Sequence, residues 1–393
     1  MIKAVLADVC LIQSGGTPSR GNDSYWGGSI PWAKISDLEA SGDGYISGAE
    51  ENITEQGLEA IRGRVFNDGT LLFAIYGSVG KVAVVRGSVS ANQAILGIEP
   101  DTSRLDLNYL KFWLRSQRRR FDQDAQGVAQ KNLSAGYVRS LEIPLPPLPE
   151  QKRIAAILDK ADAIRIKRQR AIKIADEFLR AVFLEMFGDP VTNPKGWNVR
   201  EVGGICGVQG GLQVSKKRTG LPFTAPYLRV ANVLRNRLDL TEVKEIELFE
   251  SEYLRVKLAP EDILIVEGHG NPGEIGRCAM WGGEVDGVVH QNHLIRVRVK
   301  SKDVNPRFLC DYINSSGGRA QMVRASNTTS GLNTISTGIV KSTGVIVPPK
   351  DLQDAYALIV DKTRGNLLRQ DSSQVLIGEG VFSLSQKAFS GQL

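Results

Sequence analysis

The sequence predicts an α+β fold: two similar globular domains, each followed by a long helix, with the two helices pairing as an antiparallel coiled coil around an internal pseudo-twofold repeat. Three observations predict it. Five segments of the first half recur in the same order in the second half. A helical stretch free of internal Gly and Pro follows the first set. A proline clamp precedes each helical stretch, "LPPLPEQKRIAAIL" (145–158) and "VPPKDLQDAYALIV" (347–360).

A chain of 393 residues is long for a single core and fits two or three domains. Its 42% hydrophobic and 23% charged content is that of an ordinary globular protein. No apolar run approaches the roughly 18–20 residues that cross a bilayer, and Asp8 interrupts the short apolar N-terminus, against a signal peptide. Cys10, Cys206, Cys278 and Cys310 are scattered and form no CxxC pair, as expected of reduced thiols in a cytoplasm. The net charge of +6 lies in the central helical segment and the second half. An excess of that size permits nucleic-acid binding without requiring it.

The repeat reads in order along the chain. "IPWAKISDL" (30–38) matches "APYLRVANV" (225–233), a proline and an aromatic opening an alternating strand. "GTLLFAIYGSVGKVAVV" (69–85) matches "EDILIVEGHGNPGEIGRCAMW" (261–281), each a strand, a Gly-rich turn and a second strand. "ANQAILGIEP" (91–100) pairs with "HQNHLIRVRV" (290–299), the helix-like 107–121 with 305–321, and 130–147 with 330–349. A period this long is a duplicated domain; solenoid repeats are much shorter. The boundaries follow: a first domain over 1–148, a central helix over 149–187, a second domain over 188–349 and a C-terminal helix over 350–393. Ile154, Ile157, Ile164 and Phe178 fall on a stripe with alternating steps of three and four, the spacing of a narrow helix-pairing seam. Leu352, Ile359 and Leu384 form the matching stripe of the C-terminal helix, whose middle is polar and contains Gly365.

The motifs that could signal catalysis lack their context. Gly268, Gly270 and Gly273 spell GxGxxG after an apolar strand, but Pro272 and the alternating residues beyond predict a second strand. A dinucleotide site would need a helix there. His290 and His293, three apart on a strand, point to opposite faces and have no metal-ligand companions. No nucleophile–base pair assembles from the histidines present. What remains are two polar, glycine-rich loops at equivalent places, "QSGGTPSRGN" (13–22) and "VQGGLQVSKKRTG" (208–220). Their small residues allow close backbone approach, and their Arg, Lys, Ser, Thr and Gln side chains suit phosphate and base contacts. Two similar frames with different loops would read two different targets.

Four segments carry a family resemblance: "SGGTPSRGNDSYWGGSIPWAKISDL", "IPLPPLPEQKRIAAILDKAD", "LEMFGDPVTNPKGW" and "SQKAFSGQL". With these, the chain resembles the specificity subunits of type I restriction–modification systems over nearly its whole length. It departs from that pattern in the weaker second clamp and the polar middle of the C-terminal helix. The resemblance implies two target-recognition domains that each read one half of a split sequence in double-stranded DNA. It implies two modification subunits and an ATP-dependent restriction subunit as partners, with S-adenosylmethionine, ATP and Mg belonging to those partners and none bound by this chain. The DNA contacts are then expected at repeat-equivalent turns and strand ends. These are Arg20, Lys34, Lys81, Asn92 and Lys131 in the first domain, and Gln213, Lys216, Lys217, Arg229, His269 and Arg277 in the second. A non-DNA-binding scaffold, two similar domains on a helical rod, is the alternative.

Overall fold

A computed structural model of the chain describes residues 2–42, 44–125, 132–215, 218–329, 332–371 and 389. Residues 1–172 and 369–393 form one unit and 173–368 the other. The first unit carries β1 (Lys3–Val5), β2 (Cys10–Ser14), β3 (Trp26–Ala33), β4 (Tyr45–Ile46), β5 (Glu51–Ile53), β6 (Phe66–Asn67), β7 (Leu71–Ala74), β8 (Val82–Val85), β9 (Ser88–Ala91), β10 (Ile95–Pro100) and β11 (Glu142–Pro144). Strands β2, β10, β7, β8 and β4 form one sheet in that order. A second sheet runs β5-β3-β9-β6. The apolar runs of β7 and β8, "LLFA" and "VAVV", are buried at every position, as strands covered on both faces require.

The second unit repeats the plan. Its strands are β12 (Asn198–Glu201), β13 (Cys206–Gly210), β14 (Phe223–Leu228), β15 (Val233–Leu234), β16 (Arg237–Leu238), β17 (Lys244–Leu248), β18 (Ile263–Val266), β19 (Gly268–His269), β20 (Cys278–Met280), β21 (Val289–His290), β22 (Leu294–Val299), β23 (Asn327–Thr329), β24 (Leu332–Thr334) and β25 (Gly344–Val347). The sheet β13-β22-β18-β20 matches β2-β10-β7-β8. Strand β3 is antiparallel to β5 and parallel to β9; β14 is antiparallel to β17 and parallel to β21. The terminal pairs β1–β11 and β12–β25 are antiparallel too. The duplication is therefore one of topology and register as well as of sequence.

The link between each domain and its helix is also built twice. One long helix runs from Leu148 to Phe187, with Pro149 in the first turn, where a missing N–H costs no hydrogen bond. It stops at Gly188, whose φ of 80° is the left-handed conformation that glycine supplies at a helix end. Near its start the fully buried Gln151 accepts from the Asp106 N–H at 2.8 Å and donates to the carbonyls of Arg104 and Pro146 at 2.9 and 2.8 Å. Asp106 is the N-cap of the 107–116 helix, so a single side chain ties the domain to the helix and to the proline clamp. In the second unit Gln353 does the same: it accepts from Asn305 N–H at 2.9 Å and donates to Asp303 and Pro348 at 2.9 and 2.7 Å. Asn305 caps the 306–314 helix, the counterpart of 107–116.

An ion pair reinforces each junction, with opposite polarity. Arg115 donates to Asp162 of the long helix at 2.9 Å. In the second unit Asp311 accepts from Arg364 of the C-terminal helix Lys350–Asp371 at 3.0 Å. The burial pattern of the long helix differs from the predicted stripe. Ile154 is buried with Leu158 in the first core, and Ile157 is half-buried. Ile164 and Phe178 are exposed; Leu179, Phe183 and Phe187 enter the second core in their place. There Phe183 and Phe187 lie edge-on to Tyr356 at 5.6 and 5.3 Å. The end of one helix thus packs on the beginning of the other, the antiparallel sense. Each end of the long helix turns to the domain core beside it because that core offers a broader apolar surface than a narrow seam. Leu352 and Ile359 pack on the second core; Leu384 lies outside the described residues. Phe389 closes on the first core, its ring 5.2 Å from Tyr109.

Candidate nucleic-acid interface

In the first unit the glycine-rich loop after β2 folds back over the ends of β3 and β9. The Gly16 N–H donates to Ala91 O at 2.8 Å, and Asn92 N–H donates to Ala33 O at 3.0 Å. A Cβ on Gly15 would collide with the carbonyl oxygens of Ala91 and Asn92, so only glycine permits this approach. Trp32 fixes the loop from below through its indole N–H to Gly16 O at 2.9 Å, and Trp26 packs edge-on to it at 5.0 Å. Arg20 lies over the Trp26 ring at 3.8 Å and the Trp32 ring at 4.9 Å, a cation–π arrangement. Its guanidinium donates to Glu51 at 2.6 Å, and Lys34 reaches Glu51 at 2.7 Å and Glu50 at 3.0 Å. The hydrogen bonds from Arg20 and Lys34 hold the Glu51 carboxyl below its usual pKa, and the same contacts hold Lys34 above its own. Two predicted residues, Arg20 and Lys34, therefore meet on one acid beside two tryptophans.

The second unit builds the same apex with other side chains. The Leu212 N–H donates to His290 O at 2.9 Å, Asn292 N–H to Leu212 O at 2.7 Å, and Gln291 N–H to Leu228 O at 2.9 Å. A Cβ on Gly211 would strike the His290 and Gln291 carbonyls, as at Gly15. Arg218 secures the loop: its Nε donates to Gln213 O at 2.9 Å, and its two terminal nitrogens fork onto Glu252 at 2.9 and 2.8 Å. That fork holds the Glu252 carboxyl down at about 2. Gln213 is exposed at the loop. Arg229, like Lys34, ends the strand: each backbone N–H donates to a side chain three residues on, Asp37 for Lys34 and Asn232 for Arg229. The Arg229 guanidinium reaches Glu242.

The remaining predicted residues divide. Asn92 turns its side-chain oxygen Oδ1 to accept from the Ala94 N–H, shaping the turn that receives the loop. Lys81 is half-buried; burial, then the charges of Arg118 and Arg115, push its pKa down. His269 accepts from Asn271 N–H at 3.0 Å. Arg277 is corrected to a structural role. It is buried, and its guanidinium donates to Val233 O at 2.8 Å, Val230 O at 3.2 Å and Glu274 at 2.9 Å, tying the β15 region to its own domain. Lys131, Lys216 and Lys217 lie outside the described residues. The GxGxxG string crosses β19 and a single 3-10 turn, Pro272–Glu274, before β20. No helix begins there to receive a pyrophosphate. His290, the last residue of β21, is buried, whereas His293 lies in the turn before β22 and is exposed. Trp26 and Glu51 are not marked in the sequence; the repeat places their segments, but no local pattern marks a carboxylate that gathers two cations from distant segments.

Two copies of one frame, carrying different polar side chains at the apex, define a duplicated two-domain protein. A family model described as "Type I restriction modification DNA specificity domain" matches residues 3–175 and again 194–375. The chain belongs to that family. The specificity subunit of type I restriction enzyme MjaIX from Methanocaldococcus jannaschii is 27% identical, over 58% of this chain and 57% of its own length. The EcoKI specificity subunit of Escherichia coli K12 is 26% identical, over 70% and 63% respectively. The chain thus spans less than two thirds of the length of these curated relatives. The solved S subunit of the type-I restriction-modification system from M. genitalium shares the fold: TM-score 0.59, 15% identity, 99% of this chain and 96% of that one covered. Among the described residues no helix is long and apolar enough to cross a membrane.

Proposed function

We propose that this chain is the non-catalytic, DNA-reading subunit of a type I restriction–modification complex, each domain reading one half of a bipartite target. The observation that carries this reading is the frame built twice with different side chains at the same apex: Arg20, Lys34 and Glu51 in one, Gln213, Arg218 and Arg229 in the other. The first apex presents guanidinium and ammonium donors and the second guanidinium and amide donors, groups that read base edges and hold phosphates. At about 1.5 Å per residue, the long helix of 40 residues measures about 60 Å, enough to span more than one DNA turn of about 34 Å. In this reading two modification subunits bring the S-adenosylmethionine, and a restriction subunit brings the ATP and Mg.

The test is binding of the chain, assembled with its modification subunits, to duplexes carrying its methylated site or a random sequence. Arg20→Ala is expected to weaken the specific complex by about 10–100-fold, the worth of one good base pairing of about 1–3 kcal/mol, with little change on random DNA. Equal affinity of mutant and parent for the specific site removes Arg20 from the interface; no binding of the parent to either duplex returns the chain to a protein scaffold.

The basic run Arg165, Lys167, Arg168, Arg170 and Lys173 on the long helix adds a second expectation. Arg165 is tied to Asp162 at 2.8 Å, and Lys173 lies 3.8 Å from Glu177, so the run is partly neutralised. Changing all five residues to Gln is expected to flatten the salt dependence, by about 0.9 in log–log slope for every DNA phosphate that the run neutralises, with sequence preference kept. An unchanged slope makes the run a solvated helix face.

A further inference from the structure

In the second unit a cavity of about 460 Å³ opens beside the 306–314 helix, within the size range of small-molecule sites. The β15–β16 hairpin supplies one wall. Its two-residue turn is Arg235–Asn236, and Asn236 adopts a left-handed φ of 58°, which asparagine tolerates better than most residues. The turn is fixed in place: Asn236 N–H donates to Cys278 O at 2.8 Å, and Asn314 donates to Asn236 Oδ1 at 2.5 Å. Arg235 is thereby held at the cavity, across from Arg319 and Arg364, with Ser315 at the N-cap of the 316–325 helix also on the wall.

Two carboxylates, Asp176 and Asp311, also line the cavity, but they do not satisfy every guanidinium N–H there. Arg364 gives one terminal nitrogen to Asp311 at 3.0 Å, while its other, Nη1, is buried with no hydrogen-bond partner. A carboxylate beside Arg235, that of Glu274, lies 4.0 Å away and is already engaged by Arg277 at 2.9 Å. Burial, then the charge of Arg319, lowers the pKa of Arg235; an arginine so placed gains from an incoming anion. A buried unsatisfied guanidinium N–H carries a desolvation cost that a ligand acceptor would remove.

We propose that this cavity binds the phosphate group of a small molecule, with guanidinium groups of Arg235, Arg319 and Arg364 and the helix N-terminus at Ser315 as its donors. Free phosphate and the phosphate of a nucleotide are the two sources of that chemistry. Isothermal titration of the full chain with inorganic phosphate, pyrophosphate and ATP is expected to give saturable binding with a Kd of about 1 mM or tighter. Pyrophosphate and ATP of equal affinity identify the phosphate alone as the ligand. ATP at least tenfold tighter identifies a nucleotide. Arg235→Gln is expected to weaken binding at least tenfold and Arg235→Lys less; if Arg235→Gln unfolds, Arg319→Gln takes its place. The proposal is overturned if no saturable heat appears, or if a folded Arg235→Gln or Arg319→Gln protein binds like the parent. It is also overturned if duplex DNA displaces the phosphate and the same substitution lowers the salt slope of DNA binding, since the arginines then belong to the DNA interface.

Discussion

Replacing Gln151 with alanine is expected to destabilise the first domain by about 3–5 kcal/mol, among the largest effects of any single polar substitution in the chain. The side chain is fully buried and makes three hydrogen bonds to backbone groups. Alanine would leave the Asp106 N–H and the Arg104 and Pro146 carbonyls buried and unpaired, at about 1–3 kcal/mol each before relaxation. For a unit of this size the thermal midpoint should fall by roughly 2–4 °C for each kcal/mol. Gln353→Ala should act likewise on the second domain. Hydrogen exchange gives the site-specific readout: the first turns of the 107–116 and long helices should lose protection together. A loss below about 1 kcal/mol, with protection intact, would show that the glutamine does not hold the junction.

Exchanging the first domain for that of another family member should change one half of the methylated sequence completely and leave the other half and the spacer untouched. The structure fixes where to cut. Strand β11 pairs with β1, and Leu145 N–H donates to Ile2 O at 2.9 Å, so the exchanged piece should run from residue 1 through Leu145. Gln151 then grips the newcomer through backbone groups alone, which any donor domain supplies. Mapping methylated adenines in a host carrying the hybrid reads the outcome. A change in both half-sites would defeat independent reading, and an altered spacer would defeat the separation of readers from helix.

Much of this architecture is legible in the sequence because duplication writes each element twice. The strand–turn–strand of 69–85 and that of 261–281 are each ambiguous, but together they place two antiparallel sheets. The long helix is legible from its lack of internal Gly and Pro. Its buried face is not: Phe178 and Leu179 are adjacent and equally apolar, and only the position of Phe308 and Tyr356 beyond them decides which is covered. The apex follows the same logic. Gly15 and Gly211 stand out as glycines in equivalent loops, whereas the role of Arg277 depends on which carbonyls lie within reach. A guanidinium looks alike in sequence whether it faces a groove or braces a strand.

The two junction ion pairs have a consequence for a chain that contains two near-copies of itself. Asp162 and Arg364 stand at the same remove from Gln151 and Gln353, on corresponding faces of their helices, yet one is acidic and the other basic. The glutamine clasp alone would accept either domain, since it grips only backbone. A first domain seated on the C-terminal helix would bring Arg115 towards Arg364, and a second domain seated on the long helix would bring Asp311 towards Asp162. Like charges at a half-buried site repel where the native pairs attract. The inverted pair thus works as an address, favouring each domain on its own helix over its twin's.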